Sequence, residues 1–263
     1  MNLPALPVEL GQVRRARALG GGDIARVWRA ELTDGRNVVI KQTPTEAALE
    51  ADGLAALAQA GAAVPQVLAV EDRALVLEAL DSTGDPSDFG RMLARVHRSG
   101  NDMFGWHHDN VIGPLPQANP FTEQWPPFFI EQRIRPYLDD LDSPVRARIQ
   151  AAMDSGQFAE LVDHEVVPSL VHGDLWSGNV LGWRWMIDPA VYYGDREVDL
   201  AMLALFGAVP ETMLSAYEQV WPLDTGWKQR RAALQLSPLL VHVRLFGASY
   251  VPPVIARLDA LGW

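Results

Sequence analysis

The stretch Leu170-Val171-His172-Gly173-Asp174-Leu175-Trp176-Ser177-Gly178-Asn179-Val180 constrains this chain more than any other. It sets an acid and an amide in one polar turn between apolar runs. A second apolar run, Met186-Ile187, then ends on Asp188. An aspartate in such a turn accepts the proton of a hydroxyl. An asparagine five residues later offers a neutral oxygen to a divalent ion, and an aspartate on a strand end offers a charged one. Magnesium takes few protein ligands of this hard-oxygen kind and keeps several waters or phosphate oxygens. Asp174 is therefore the candidate base, and Asn179 and Asp188 are the candidate metal ligands. His172 and Asp199 are read as structural supports, with Asp199 in the first turn of a later helix bonding the backbone of the polar turn.

The upstream sequence supplies groups that suit a triphosphate. Leu19-Gly20-Gly21-Gly22-Asp23 precedes an alternating stretch ending at Leu32, and Asp34-Gly35 then marks a hairpin turn before Asn37-Val38-Val39-Ile40-Lys41-Gln42. Gly21 and Gly22 would let backbone N–H groups approach phosphate oxygens closely. Lys41, at the end of a β-branched strand, would hold the phosphates, and a glutamate on the next helix would hold Lys41. That helix spans 45–60. Its acidic candidates are Glu46, Glu50 and Asp52; Glu50 is the preferred partner, with Glu46 a rival one turn earlier. Residues 66–70 and 74–80 read as a strand pair, which gives about five antiparallel strands with one helix. Residues 81–86 are rich in breakers and read as a hinge. By position, Glu78 and Leu80 border the adenine edge.

The remainder reads as mostly helical. Residues 87–99 carry an apolar stripe, and His97 near the end is expected to bond the helix backbone. His107 and His108 are adjacent, share no helical face and are read as loop residues rather than metal ligands. Residues 121–141 form a helix interrupted at Pro126-Pro127, in which Trp125 and Arg133 are candidates to wall a sugar site. Residues 1–17 read as a short helix or arm. The fold class is thus α+β and bilobal. Its small lobe spans 1–80, its hinge 81–86 and its larger helical lobe 87–263.

Composition narrows the partners. The chain has 263 residues and a formal charge of −11, which argues against nucleic acid and anionic membranes as partners. It contains no cysteine, which excludes disulfides and thiolate chemistry. The N-terminus lacks a basic region followed by a long apolar run, and no apolar run reaches the roughly 18 residues of a membrane span. A soluble, cytoplasmic monomer is expected.

The motifs also carry a resemblance. His-Gly-Asp-Leu-Trp-Ser-Gly-Asn at 172–179 resembles the fructosamine kinase (ketosamine 3-kinase) family, within the protein-kinase-like and aminoglycoside-phosphotransferase-like group. So do Asp-Pro-Ala-Val-Tyr-Tyr-Gly-Asp-Arg-Glu-Val-Asp-Leu-Ala at 188–201 and the series from Phe104 to Arg133. Leu239 to Tyr250 fits as well. The resemblance spans nearly the whole chain. It implies ATP and Mg2+ as cofactors and phosphorylation of the sugar 3-hydroxyl of small or protein-linked ketosamines, with deglycation as the outcome. It assigns Asp174 as base, Asn179 and Asp188 as magnesium ligands, and Lys41 with Glu50 as the phosphate-binding pair. Trp176 is a candidate to stack on the sugar. The rival readings are a kinase for another hydroxyl acceptor, such as an aminoglycoside, and a non-catalytic nucleotide-binding fold.

Overall fold

The computed structural model describes residues 3–4, 6–20, 25–81 and 83–263. A single sheet holds the N-terminal strands, β1 (Val13–Leu19), β2 (Arg26–Leu32), β3 (Asn37–Gln42), β4 (Val67–Glu71) and β5 (Ala74–Glu78). Their order is β1-β2-β3-β5-β4, and every neighbouring pair is antiparallel. The expected arm at 1–17 is in part a strand. Arg14 and Arg15 on β1 instead meet Glu31 across the ladder at 2.8 and 2.6 Å, an edge arrangement that a helical reading of the arginines misses.

Strand alternation decides which way the central residues point. Trp28, Ala30, Leu32, Val38, Ile40 and Val76 bury one face of the sheet together with Leu10. The opposite face receives α1 (Ala47–Gln59), which buries Ala47 and Leu54 against Leu75 and Leu77. Lys41 stands next to Ile40 on β3 and so faces α1.

The chain then becomes mainly helical. α2 (Pro86–His97) starts at an Asp85 cap whose carboxylate accepts the Ser87 N–H, with Pro86 at the first position. A hairpin of β6 (Asn110–Ile112) and β7 (Leu115–Gln117) follows. The helix expected over 121–141 with a break at Pro126-Pro127 instead begins at Trp125 as α3 (Trp125–Phe129), because proline fits the first turn of a helix, where no N–H partner is needed. Its winding changes later, in a π turn at 130–134 and a 3-10 turn at 135–140. Next come α4 (Ser143–Asp154), α5 (Gln157–Val162) and three short strands, β8 (Ser169–Val171), β9 (Val180–Leu181) and β10 (Trp185–Met186). β11 (Tyr192–Gly194) leads to α6 (Glu197–Leu203), α7 (Glu211–Val220), α8 (Trp227–Leu234), α9 (Leu236–Phe246) and α10 (Val251–Leu261). α2 and α7 pack so closely that a Cβ at Gly90 would lie 2.1 Å from the Met213 carbonyl oxygen. No helix among the described residues is long and apolar enough to cross a membrane.

Two short pairings build the frame of the polar turn. β8 pairs with β11, and β9 pairs with β10, all antiparallel. The first pair delivers His172 and the second delivers Asp188. The connector at 81–86 is tied to the β9–β10 hairpin, because Gly84 N–H donates to the Gly182 carbonyl at 2.7 Å.

Candidate active site

The turn from His172 to Asn179 is fixed from below by one carboxylate. Asp199 on α6 accepts the backbone N–H groups of His172 and Gly173 at 2.7 and 3.0 Å. This is the backbone-bonding role expected of Asp199. It also meets His97 Nε2 at 3.1 Å, and His97 Nδ1 lies 2.8 Å from the Tyr217 hydroxyl. His97 therefore does not bond its helix backbone as expected. It joins α2 to α6 and α7, a contact 102 residues apart in sequence. Burial opposes the charge on Asp199, but the hydrogen bond and charge of His97, with His172 and its backbone N–H, hold its carboxyl below the usual range.

His172 does related work. Its Nδ1 accepts the Asp174 backbone N–H at 3.2 Å and its Nε2 donates to the Ile187 carbonyl at 3.0 Å. That pattern requires the neutral ring, and burial pushes its pKa down accordingly. The imidazole thus ties the candidate base to the residue just before Asp188. Gly173 adopts φ +81°, and a Cβ there would lie 2.1 Å from the Ala190 carbonyl oxygen, so no other residue fits.

Asp174 and Asn179 converge as the spacing predicts. Asn179 Nδ2 donates to the Asp174 carbonyl at 2.8 Å and to its carboxylate at 3.0 Å. With both amide hydrogens used, Asn179 Oδ1 is left as an oxygen donor without a partner among the described residues. Burial, and then the charge of Asp188, push the Asp174 carboxyl up to about 8 against the hydrogen bond from Asn179. A carboxyl poised near neutrality is suited to proton transfer.

Lys41 joins the two halves of the chain. Its ammonium lies 2.6 Å from Glu50 and 2.8 Å from Asp188. Glu46 is the cap residue of α1 and makes no side-chain cap bond, so the alternative partner stands aside. Burial alone would discharge Lys41, but Glu50 and Asp188 outweigh it and raise its pKa. Glu50 keeps a buried oxygen, Oε1, without a partner among the described residues. Asp188 has φ +58° and a side chain 43% exposed. A non-glycine residue in that left-handed region holds strain of about 1–3 kcal/mol, of the sort found at working sites. Its carboxylate and the Asn179 amide oxygen form a hard-oxygen donor set, which fits magnesium.

The remaining candidates divide. Gly21 and Gly22 lie outside the described residues, as does Ser82 of the connector. Glu78 ends β5, its backbone N–H donates to Gln66 at 2.9 Å, and its side chain is exposed. Leu80 follows it, and its backbone N–H has no partner among the described residues. Trp176 is 37% exposed and meets Phe206 edge-on at 6.2 Å. Trp125 is a correction. It is 2% exposed and packed among Phe104, Phe128 and Phe129, so it is core rather than the wall of a sugar site. Arg133 is buried too, stacked on Phe128 and Tyr192 and bonded to the Ala118 carbonyl at 2.8 Å. It nonetheless lines a cavity of about 40 Å³ together with Gly173, Asp174, Tyr192 and His242. A larger open hollow of about 860 Å³, lined by Lys228, Arg231 and Arg257, includes none of the candidate residues.

Comparisons with known proteins bear on the family and the fold. The model of the fructosamine kinase family matches residues 6–261. A "probable ketoamine kinase" of Enterococcus faecium is 36% identical over 259 residues, covering 91% of this chain and 92% of that protein. One of Escherichia coli K12 is 35% identical, covering 95% and 94%. A crystal structure named as a candidate fructosamine-3-kinase, from Thermobifida fusca YX-ER1, superposes with a TM-score of 0.85 at 37% identity, covering 95% and 94% of the two chains. The aminoglycoside phosphotransferase APH(2")-IIa, solved with gentamicin, superposes at 0.59 with 13% identity, covering 98% and 97%, which shows a shared fold alone. The architecture is that of the protein-kinase-like group, and the chain belongs to the fructosamine kinase family.

Proposed function

We propose that this protein is an ATP-dependent kinase that phosphorylates the 3-hydroxyl of ketosamine sugars, the adducts left on amines by glycation. The phosphorylated product then releases its amine, so the outcome is deglycation. The observation that carries the reading is the junction of Lys41, Glu50 and Asp188 beside the bonded pair Asp174 and Asn179. Family membership supports the chemistry of the acceptor.

Each residue then has a task. Lys41, oriented by Glu50, neutralises negative charge on the phosphates. Asn179 and Asp188 would hold magnesium, which when bound would supply positive charge to the phosphate oxygens. Asp174 orients the acceptor hydroxyl and takes its proton. Phosphoryl transfer depends mainly on such positioning and on charge stabilisation. Trp176 gives an exposed ring for the C–H face of the sugar. Arg133 lines the cavity beside Asp174 from a buried position. Gly21 and Gly22, by their sequence alone, are assigned to the phosphates, and Leu80, after Glu78, is assigned to the adenine edge. Residues 1–80 form the ATP-binding lobe, 81–86 the hinge and 87–263 the lobe that carries the acceptor. The enzyme acts as a cytoplasmic monomer.

ATP consumption measured with a fructosamine or ribulosamine, beside kanamycin, tests the assignment. Turnover of the ketosamine with none of kanamycin is expected. Turnover of kanamycin alone would sink the acceptor assignment, and tight ATP binding without turnover of any hydroxyl compound would sink the enzyme reading.

A further inference from the structure

On the far side of α1 from Leu54, Asp52 meets the loop that joins α2 to β6. The indole N–H of Trp106 donates to Asp52 Oδ2 at 3.0 Å. His107 Nε2 lies 3.6 Å from Asp52 Oδ1, and His108 Nε2 lies 3.7 Å from Oδ2. Both separations are too long for hydrogen bonds. They are close to the roughly 3.4 Å between two ligands at the corners of a tetrahedron with bonds of about 2.1 Å. The three ligand atoms all lie within 4.8 Å of one another.

Adjacent histidines were expected to diverge, and the loop shows why they converge. Gly105 takes φ +110° and exchanges two backbone hydrogen bonds with Tyr193, at 2.9 and 2.8 Å. Beyond the pair, the Asp109 carboxylate accepts the Asn119 N–H at 2.8 Å. The chain is thus pinned on both sides of the histidines. Their rings stand 4.3 Å apart at 82°, so they approach Asp52 from different directions. His108 Nε2 is buried and has no hydrogen-bond partner among the described residues. A buried polar nitrogen ordinarily has one. Here it is aimed at a carboxylate across a gap of the width a metal ion fills.

We propose that Asp52, His107 and His108 form a binding site for a divalent transition metal of the zinc type, with water in the fourth position. Two imidazoles and one carboxylate suit zinc and its neighbours, whereas magnesium and calcium prefer all-oxygen sets. Trp106 fixes the carboxylate from outside, as the supports of metal ligands commonly do. The side chains of His107, His108 and Asp52 are 55%, 34% and 35% exposed, so an ion can enter from solvent. The site shares no residue with the Asn179 and Asp188 pair. It joins α1, two residues after Glu50, to the loop at 104–110. An ion there fastens the helix that holds Lys41.

The test uses the full chain, stripped of metal by a chelator and titrated with ZnCl2 in calorimetry without nucleotide or magnesium. Cobalt(II) absorption and thermal melting are read in parallel. One zinc per chain is expected, with visible cobalt bands of low coordination number and a melting temperature that rises with zinc. His107→Gln and His108→Gln should each weaken zinc binding by at least about 10-fold and abolish the cobalt bands. Their melting temperatures without metal serve as the folding control. No saturable binding by the unaltered chain overturns the site and leaves the cluster as a pair of histidines facing a carboxylate. Equal affinity in both variants also overturns it, because the ion then sits elsewhere, for instance at His164, Asp195 and Glu197.

Discussion

Two buried polar networks lie back to back around the polar turn, and they are built on opposite plans. Around Asp199 every strong group is spent. Both carboxylate oxygens accept backbone N–H groups, and His97 and Tyr217 complete the chain of bonds. Around Lys41 capacity is left over. Glu50 Oε1 has no partner among the described residues, Asp188 is half open in a left-handed conformation, and the Asn179 oxygen is unused. A satisfied network makes a fixed floor. An under-satisfied one of alternating charge keeps unused oxygens, which the proposed kinase reading assigns to an ion and, through Lys41, to phosphates. The difference separates residues that hold the site from residues that serve it.

That contrast can be broken at either end. The largest effect is expected at Asp174. Asp174→Asn should lower ketosamine turnover on the order of 10²–10⁴-fold, the scale for a general base, while the melting temperature barely moves. Steady-state kinetics with a thermal melt checks both halves. Lys41→Ala should act on both measures. It removes the charge held between Glu50 and Asp188, and breaking a buried pair costs about 3–5 kcal/mol, an upper figure here because Asp188 is partly solvated. Urea unfolding at fixed pH reads that loss, and nucleotide binding should weaken alongside it.

Asp199→Asn is the matching cut through the satisfied network. It turns an acceptor into a donor facing N–H groups, at a cost of about 1–3 kcal/mol. Its pH dependence has a definite sign. The folded carboxyl titrates below its ordinary value, so the stability it contributes is complete above the usual carboxylate range and is lost as pH falls through the depressed value. The gap between the unaltered chain and Asp199→Asn should therefore be widest near neutral pH and close in acid. A gap that widened in acid would contradict the network as described. The smallest structural effect is expected from Trp176→Ala. With its ring 37% exposed, stability should change by under about 1 kcal/mol, while KM for the ketosamine rises and KM for ATP stays put.

The sequence revealed the two networks unequally. The pairing of Asp174 with Asn179 and the approach of Asp188 to Lys41 were legible because the proposed chemistry fixes both residue type and spacing, and strand alternation aimed Lys41 at α1. Glu50 was separable from Glu46 only as a preference, because both lie near the start of one helix, and the cap position of Glu46 decides it. His97 was not legible, since its partners are 102 and 120 residues away and leave no local pattern. Trp125 misled because an aromatic stripe reads the same whether it lines a sugar site or a core. The approach of His107 and His108 to Asp52 was not legible, because adjacent residues share no face in a helix or an ideal strand and only the bend at Gly105 brings both rings to one carboxylate.

The ion pair of Lys41 and Asp188 also has a consequence for how the molecule is made. It joins positions 147 residues apart, and Asp174 sits just ahead of the later one. Closing so wide a loop precedes any reward from the contact. During synthesis the sequence of the N-terminal sheet and α1 emerges long before Asp188, which follows β10, and α6 with its Asp199 emerges later still. Neither half holds the full set. The junction of Lys41, Glu50 and Asp188, and the floor that Asp199 builds beneath the polar turn, are therefore complete only when synthesis has passed Asp199 and the two halves have met.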